Sequence, residues 1–207
     1  MSPRSAGLFF HRHPRFYNEK AEETRELLDS IDTSTVVGLR DRAIIAAMVY
    51  SFARVGVMVT MRVEDYFVQG RRSWLRLHEK GGKHHEMPCH HSLEEYLDGY
   101  VKAAGIEEDK KGPLFRTAPR KSAVLTRNPM TTDNVWRMIQ RRAMAAGIKT
   151  EICCHSFRAT GITVYLEAGG TLEKAQAMAA HESPRTTKLY DRTSDAITLD
   201  EVEKIVI

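Results

Sequence analysis

Four side chains in the last quarter of the sequence have the types and spacing needed to break a phosphodiester bond. They are His155 and Arg158 in a His-x-x-Arg pair, then His181, then Tyr190 nine residues later. A tyrosine hydroxyl is a weak nucleophile near neutral pH, so it requires a neighbouring base or a positive field. Guanidinium groups suit the attacked phosphate because they are planar, charged and bidentate. We therefore interpret this segment as part of a site in which a tyrosine attacks a phosphate.

Such a site also requires a second arginine and a proton donor for the departing 5′ oxygen, and the sequence offers one candidate for each. Arg54 follows the apolar run at residues 50–53, where an unpaired guanidinium is costly. Arg54 is therefore expected to have a buried acidic partner or an anion to bind. Lys80 begins the Lys-Gly-Gly-Lys turn at residues 80–83. A lone turn lysine is more often a solvated surface charge. Lys80 is therefore a candidate only because the other residues of the predicted site are also present.

The elements expected to carry these residues are mostly helices. Apolar periodicity and capping signals predict them over residues 19–31, 39–53, 92–105, 132–147, 155–168 and 171–180. Ser183-Pro184 predicts a last short helix with Tyr190 near its end. Between the second and third helices, glycine turns separate short strands at residues 66–68, 74–78 and 84–87. The sequence therefore predicts an α+β fold, mostly helical, with a small three-stranded antiparallel sheet, and a long connection over residues 106–130.

Composition limits the class of protein. The net charge of +4 permits a polyanionic partner without demonstrating one. No run approaches 18 uninterrupted apolar residues, so we expect no membrane span, and the N-terminus lacks signal-peptide features. Cys89, Cys153 and Cys154 form an odd set without a disulfide framework, which indicates a reducing compartment. The adjacent histidines suggest zinc only weakly, because no Cys-x-x-Cys pair is present, and buried thiols are the preferred interpretation.

The complete set of motifs resembles the catalytic domain of the tyrosine recombinases, the phage integrase family. The resemblance covers about residues 20–195. The motifs that carry it are Arg54 with Asp65 eleven residues later, Lys80-Gly-Gly-Lys83 reaching Pro88, His155-Ser-Phe-Arg158, Ala180-His181-Glu-Ser, and Thr186-Thr-Lys-Leu-Tyr190. Each motif is weak alone, but six catalytic positions in the right order and on plausible elements make a specific pattern.

The resemblance implies a covalent mechanism of DNA strand cleavage and rejoining. Tyr190 attacks the scissile phosphate and leaves a 3′-phosphotyrosine and a free 5′-hydroxyl. Arg54 and Arg158 bind the non-bridging oxygens. Because the phosphotyrosine conserves the energy of the broken bond, no ATP, metal or other cofactor is implied.

The resemblance also assigns the proton transfers. Lys80 protonates the departing 5′ oxygen, His155 acts as base or proton relay for Tyr190, and His181 hydrogen-bonds the phosphate. Loss of Tyr190 should abolish cleavage, whereas loss of His181 should only slow it.

Partners follow from the same resemblance. We expect double-stranded DNA as substrate, a homotetramer on DNA, and a monomer or weak oligomer without it. Accessory DNA-bending proteins are candidate partners, and a cytoplasmic, nucleoid-associated location is expected. Residues 196–207 form an amphipathic tail that packs either on its own core or on a neighbouring protomer.

Two departures from the family pattern qualify this interpretation. The family commonly places an acidic residue three positions after the first arginine, but Val57 occupies that position here, so another group is expected to orient Arg54 or His155. In addition, residues 1–18 are predicted to be an irregular arm or linker and replace the usual N-terminal clamp domain. This favours an isolated or truncated catalytic domain with weak, salt-sensitive DNA binding. The alternatives are a non-catalytic DNA-binding remnant and, less well supported by the length, a type IB topoisomerase.

Overall fold

The structure is a computed structural model that describes residues 15–79, 84–119 and 122–191, with side chains described from residue 20. The predicted mostly helical fold with a small antiparallel sheet is confirmed. Its helices are α1 (Arg15–Ser30), α2 (Val36–Ser51), α3 (Val55–Thr60), α4 (His91–Ala104), α5 (Thr132–Ala145), α6 (Cys154–Glu167), α7 (Leu172–Met178) and α8 (Pro184–Lys188). Its strands are β1 (Tyr66–Gln69), β2 (Arg72–His78) and β3 (His84–Pro88).

Helix α2 forms the centre of the main core. Its apolar residues from Ala43 to Met48 are almost fully buried, and it packs against both α4 and α6. The helix begins three residues before the predicted start, because the Thr35 hydroxyl accepts a hydrogen bond from the Gly38 amide and caps it. It ends at Ser51, and the next residue, Phe52, caps it in a left-handed conformation with φ of 56°. This turn directs the chain into Arg54.

The three strands form a sheet in the order β1-β2-β3, with antiparallel pairing throughout. Along β2, Ser73, Leu75 and Leu77 are buried while the intervening residues are less so. This alternation fixes the register, because a shift by one residue would expose the apolar side chains. The end of β2, which Glu79 directly follows, is thereby held in place.

Several boundaries differ from those predicted. Helix α1 begins at Arg15, within the segment predicted as an irregular arm. Helix α4 begins at His91, one residue before the predicted start, because the His90 ring caps it by accepting a hydrogen bond from the Ser92 amide. Helix α3 was not predicted at all, because its residues, Val-Gly-Val-Met-Val-Thr, have strand-like β propensity and no capping signal.

A second, smaller cluster of buried apolar residues joins the C-terminal helices to the end of α2. Phe52 packs there with Ile162 and Leu166 of α6 and with Ala175 and Ala179. Gly161 permits this close approach, because a Cβ atom there would overlap the carbonyl oxygen of Val49 and lie 2.9 Å from the Phe52 ring. Among the described residues, no helix is long and apolar enough to span a membrane.

Candidate active site

The first predicted arginine has a buried acidic partner. Arg54 is the residue before α3, and its Nη1 donates a hydrogen bond of 2.9 Å to Oε2 of Glu79. The Glu79 side chain is only 5% exposed, whereas that of Arg54 is 45% exposed. The guanidinium is therefore tied on one side and accessible on the other. Val57, at the usually acidic position, is buried in the main core, so Glu79 supplies the carboxylate that the sequence left unidentified.

The second predicted arginine is almost entirely buried. Arg158 lies one helical turn after His155 in α6, and its side chain ranks among the largest that are fully enclosed, with 2% exposure. Its two terminal nitrogens donate hydrogen bonds to the backbone carbonyls of Phe52 and Ala179. Burial and the positive charge of Arg54 lower the pKa of Arg158 to about 10. Arg158 therefore joins α6 to the ends of α2 and α7.

His181 lies in the turn between α7 and α8, and it is 8% exposed. Its Nδ1 shares a hydrogen bond of 2.8 Å with the buried hydroxyl of Thr187. Burial lowers the pKa of His181 to about 4, and the charges of Arg158 and Arg54 contribute further. The imidazole is therefore neutral at pH 7.

His155 lies in the first turn of α6, and much of its ring remains accessible. Partial desolvation lowers its pKa, and the nearby charges of Arg158 and Arg54 add to the effect. A neutral imidazole has a free nitrogen lone pair and can accept a proton. The position therefore suits a base.

Tyr190 follows α8 by two residues, close to the end of that helix as predicted. Its ring lies nearly parallel to that of His181, with centroids 5.9 Å apart and an interplanar angle of 9°. The phenol also packs against the cluster around Phe52, and it interacts electrostatically with Arg158. The backbone amide of Tyr190 donates to the carbonyl of Thr187 at 2.9 Å.

The structure thus brings together five of the six predicted site residues, drawn from the start of α3, from α6 and from the segment around α8. The sixth, Lys80, lies outside the described residues. An open cleft of about 750 Å³ is lined by Arg54, Glu79 and His181 together with residues of α7 and α8. No group of histidine, cysteine and acidic residues in the described ranges is arranged to hold a metal ion.

Glu79 is a site residue that the sequence motifs did not reveal. Its signal was an acidic residue at the end of an alternating strand, directly before Lys80. Sequence alone could not show that the start of α3 approaches the end of β2, because the two are 25 residues apart.

Comparison with known proteins identifies the family. The family model described as "Phage integrase family" matches residues 19–196, which is most of the chain. The chain belongs to the phage integrase family. One relative is the tyrosine recombinase XerD of Staphylococcus haemolyticus, which is 28% identical over 176 residues. The match covers 84% of this chain but 57% of XerD, so the chain spans less than two thirds of that relative's length.

Solved structures give the same fold for this phage integrase family member. XerA recombinase superposes with a TM-score of 0.68 and 22% identity, covering 88% of this chain and 61% of its own. A lambda integrase tetramer bound to a Holliday junction superposes with a TM-score of 0.65 and 20% identity, covering 86% of this chain and 50% of its own. At these identities the likeness is one of fold.

Proposed function

We propose that this chain is the catalytic part of a site-specific DNA recombinase that cuts and rejoins strands through a 3′-phosphotyrosine. The observation that carries the proposal is the packing of the Tyr190 phenol against His181, beside the buried guanidinium of Arg158. This arrangement places a nucleophile, an uncharged imidazole and a fixed cation in one place. Membership of the phage integrase family and the name of XerD, a tyrosine recombinase, support it.

In the proposed reaction, the Tyr190 oxygen attacks phosphorus while its proton passes to His155. The lowered pKa of His155 keeps that imidazole unprotonated and available at neutral pH. A new phosphorus–oxygen bond to Tyr190 forms as the bond to the 5′ oxygen breaks. Lys80 donates the proton that the departing 5′ oxygen requires. Rejoining runs the same steps in reverse.

Positive charge stabilises the pentacoordinate phosphate in this scheme. Arg54 is 45% exposed and lines the cleft, and neutral His181 lines the same cleft, where it would donate a hydrogen bond to the phosphate. Arg158 contributes its positive charge from below the protein surface, because its burial leaves it little solvent-accessible surface. One preorganised donor is worth roughly 3–4 kcal/mol of barrier. Side chains therefore supply the charge stabilisation that the reaction needs.

Double-stranded DNA is the proposed substrate, and a homotetramer on two DNA duplexes is the proposed active assembly. The lambda integrase structure of similar fold is a tetramer bound to a Holliday junction, which supports this assembly. Accessory DNA-bending proteins and the exchange of residues 196–207 between protomers belong to the same proposal, and those tail residues lie outside the described chain.

The test is covalent trapping with a library of nicked duplexes, which lose a short fragment after cleavage and so cannot be rejoined. The protein is mixed with the library in EDTA, and adducts that resist SDS are isolated and sequenced. We expect an adduct with the wild-type protein and none with Tyr190→Phe. Tyr165→Phe is the matched control, because Tyr165 lies in α6 with its ring in edge contact with that of Phe52, and this variant should still form the adduct.

Either of two results would contradict the proposal. An adduct that persists in Tyr190→Phe would assign the nucleophile elsewhere. DNA binding without any adduct, at saturating protein and with every substrate in the library, would instead identify a non-catalytic DNA-binding remnant.

A further inference from the structure

Glu79 differs from Glu86, the acidic residue of β3 that forms an ion pair on the sheet surface. Its side chain is 5% exposed, although it directly follows the last residue of β2. By contrast, Glu86 of β3 is 38% exposed and pairs with Arg76 at 2.8 Å on the sheet surface. Burying a carboxylate is costly unless a cation or several hydrogen bonds compensate its charge. An exposed acidic residue can serve solubility alone, but a buried one such as Glu79 requires another explanation.

Within the described ranges, only one oxygen of the Glu79 carboxylate accepts a hydrogen bond. Its Oε2 accepts the hydrogen bond from Arg54, but its Oε1 is buried without a hydrogen-bond partner within the described part of the chain. A purely structural ion pair would be expected to satisfy both oxygens. The single bond instead makes Arg54 the one described side chain that hydrogen-bonds to this carboxylate.

The geometry of Arg54 complements this arrangement. An arginine side chain has several rotatable bonds, and a half-exposed guanidinium samples many orientations unless it is anchored. The bond to Glu79 anchors one terminal nitrogen of Arg54, whose side chain stays 45% exposed and lines the same cleft as His181. Glu79 is itself fixed by the end of β2, whose buried Leu77 belongs to the main core.

We propose that Glu79 is a positioning residue, whose carboxylate holds the Arg54 guanidinium in the orientation that contacts the scissile phosphate. The inference rests on the proposed function, since it concerns the same phosphate. A carboxylate at this position also repels the phosphate, because both groups are negative. Glu79 therefore weakens the attraction for DNA while it holds Arg54 in the correct orientation.

These two roles of Glu79 predict opposite effects of Glu79→Gln on DNA binding and on DNA cleavage. The variant removes the negative charge and weakens the hold on Arg54. We expect the protein concentration that half-saturates cleavage to stay the same or to fall, while the cleavage rate at saturation falls tenfold or more. Simple damage to the fold would instead weaken binding and lower the unfolding temperature. Glu86→Gln, which breaks the exposed pair with Arg76, is the matched control and should change neither quantity by more than twofold.

A double-variant comparison separates positioning through Arg54 from any other role. Rates are measured on a nicked substrate whose departing 5′ oxygen is replaced by sulfur, because a thiolate leaves more readily and keeps slow variants measurable. We expect Arg54→Ala to be slow, and adding Glu79→Gln to it should change the rate by less than twofold. Glu79 does not position Arg54 if the two effects multiply, or if Glu79→Gln alone cleaves within twofold of wild type. Absence of cleavage by the wild-type protein would instead refute the proposed function.

Discussion

Thr187 holds both His181 and Tyr190, the two residues whose rings stack in the site. Its side-chain oxygen lies 2.8 Å from Nδ1 of His181, and its carbonyl accepts the Tyr190 amide at 2.9 Å. Thr187 is itself fully buried. Short helix α8 thus sets the spacing between imidazole and phenol through one residue.

Replacing Thr187 with valine should slow cleavage without releasing Tyr190. Valine preserves shape but removes the hydroxyl, so Nδ1 of the buried His181 loses its partner, which costs about 1–3 kcal/mol. The backbone bond to Tyr190 remains. We expect the saturating rate of adduct formation to fall about tenfold, which corresponds to ~1.4 kcal/mol. Thr187→Ser retains the hydroxyl and should stay within about threefold of wild type, and equal rates for the serine and valine variants would contradict this role.

Stability should depend on pH through His181. Its pKa is about 4 in the folded protein and 6.5 ordinarily, so between these values the unfolded chain binds a proton that the folded chain does not. The free energy of unfolding therefore rises with pH across this interval. The contribution of His181 is fully present above pH 6.5 and is lost as the pH falls from 6.5 to 4. The full shift corresponds to about 3 kcal/mol.

Urea unfolding at pH 4, 5, 6 and 7 measures this effect. In His181→Asn the slope between pH 4 and 6.5 should be shallower than in wild type, while the lowered pKa of His155 preserves part of it. His84→Asn, which makes the same replacement at an exposed histidine of β3, is the matched control. Parallel curves for wild type and His181→Asn would show that His181 is protonated alike in both states.

Arg158→Lys should lower stability as well as activity. Arginine spans the carbonyls of Phe52 and Ala179 with two nitrogens, whereas the single ammonium of lysine cannot reach both in the same geometry. At least one buried carbonyl is left unsatisfied, at a cost of about 1–3 kcal/mol. Thermal or urea unfolding measures the loss. Arg185→Lys, on the exposed surface of α8, should remain within about 0.5 kcal/mol of wild type; a similarly small change in Arg158→Lys would contradict the bridging role.

Gly161→Ala tests the close packing of α6 on α2. The added methyl group would overlap the Val49 carbonyl and crowd the Phe52 ring, so α6 must move outward. Overpacking of this kind costs about 1–3 kcal/mol. Gly56→Ala is the matched control, because nothing lies within 4 Å of the new methyl group. Gly56 is not among the glycines with positive φ, so alanine fits there and restricts the unfolded chain, and that control should gain about 0.4–1 kcal/mol. The two variants should therefore move the urea midpoint in opposite directions.

Local sequence patterns predicted the parts of this fold that depend on local chemistry. The alternation in β2 and the Ser183-Pro184 start of α8 were readable because strand period and helix capping involve neighbouring residues. Helix α3 was not, since its β-branched residues are helical only within the packed core, where Val57 and Met58 are buried.

Some features of the candidate site could also be predicted from the sequence, and others could not. The types and order of Arg54, His155, Arg158, His181 and Tyr190 were enough to predict one shared site, because residue type limits the chemistry that each side chain can perform. The partner of Arg54 could not be predicted, since Glu79 reaches it only after β2 and α3 pack together. The burial of Arg158 was equally hidden, because its acceptors are backbone carbonyls, which every residue carries.

The way Arg158 joins the ends of α2 and α7 has a consequence during synthesis. A nascent chain made only as far as Glu167 contains both arginines and His155, but it lacks Ala179, His181 and Tyr190. Contacts between residues so far apart in sequence form late, after the intervening loops have closed. The growing polypeptide therefore lacks both the nucleophile, Tyr190, and the Ala179 carbonyl that holds the Arg158 guanidinium. On the proposed function, the capacity to cut DNA arises only once α7 and α8 have left the ribosome and docked.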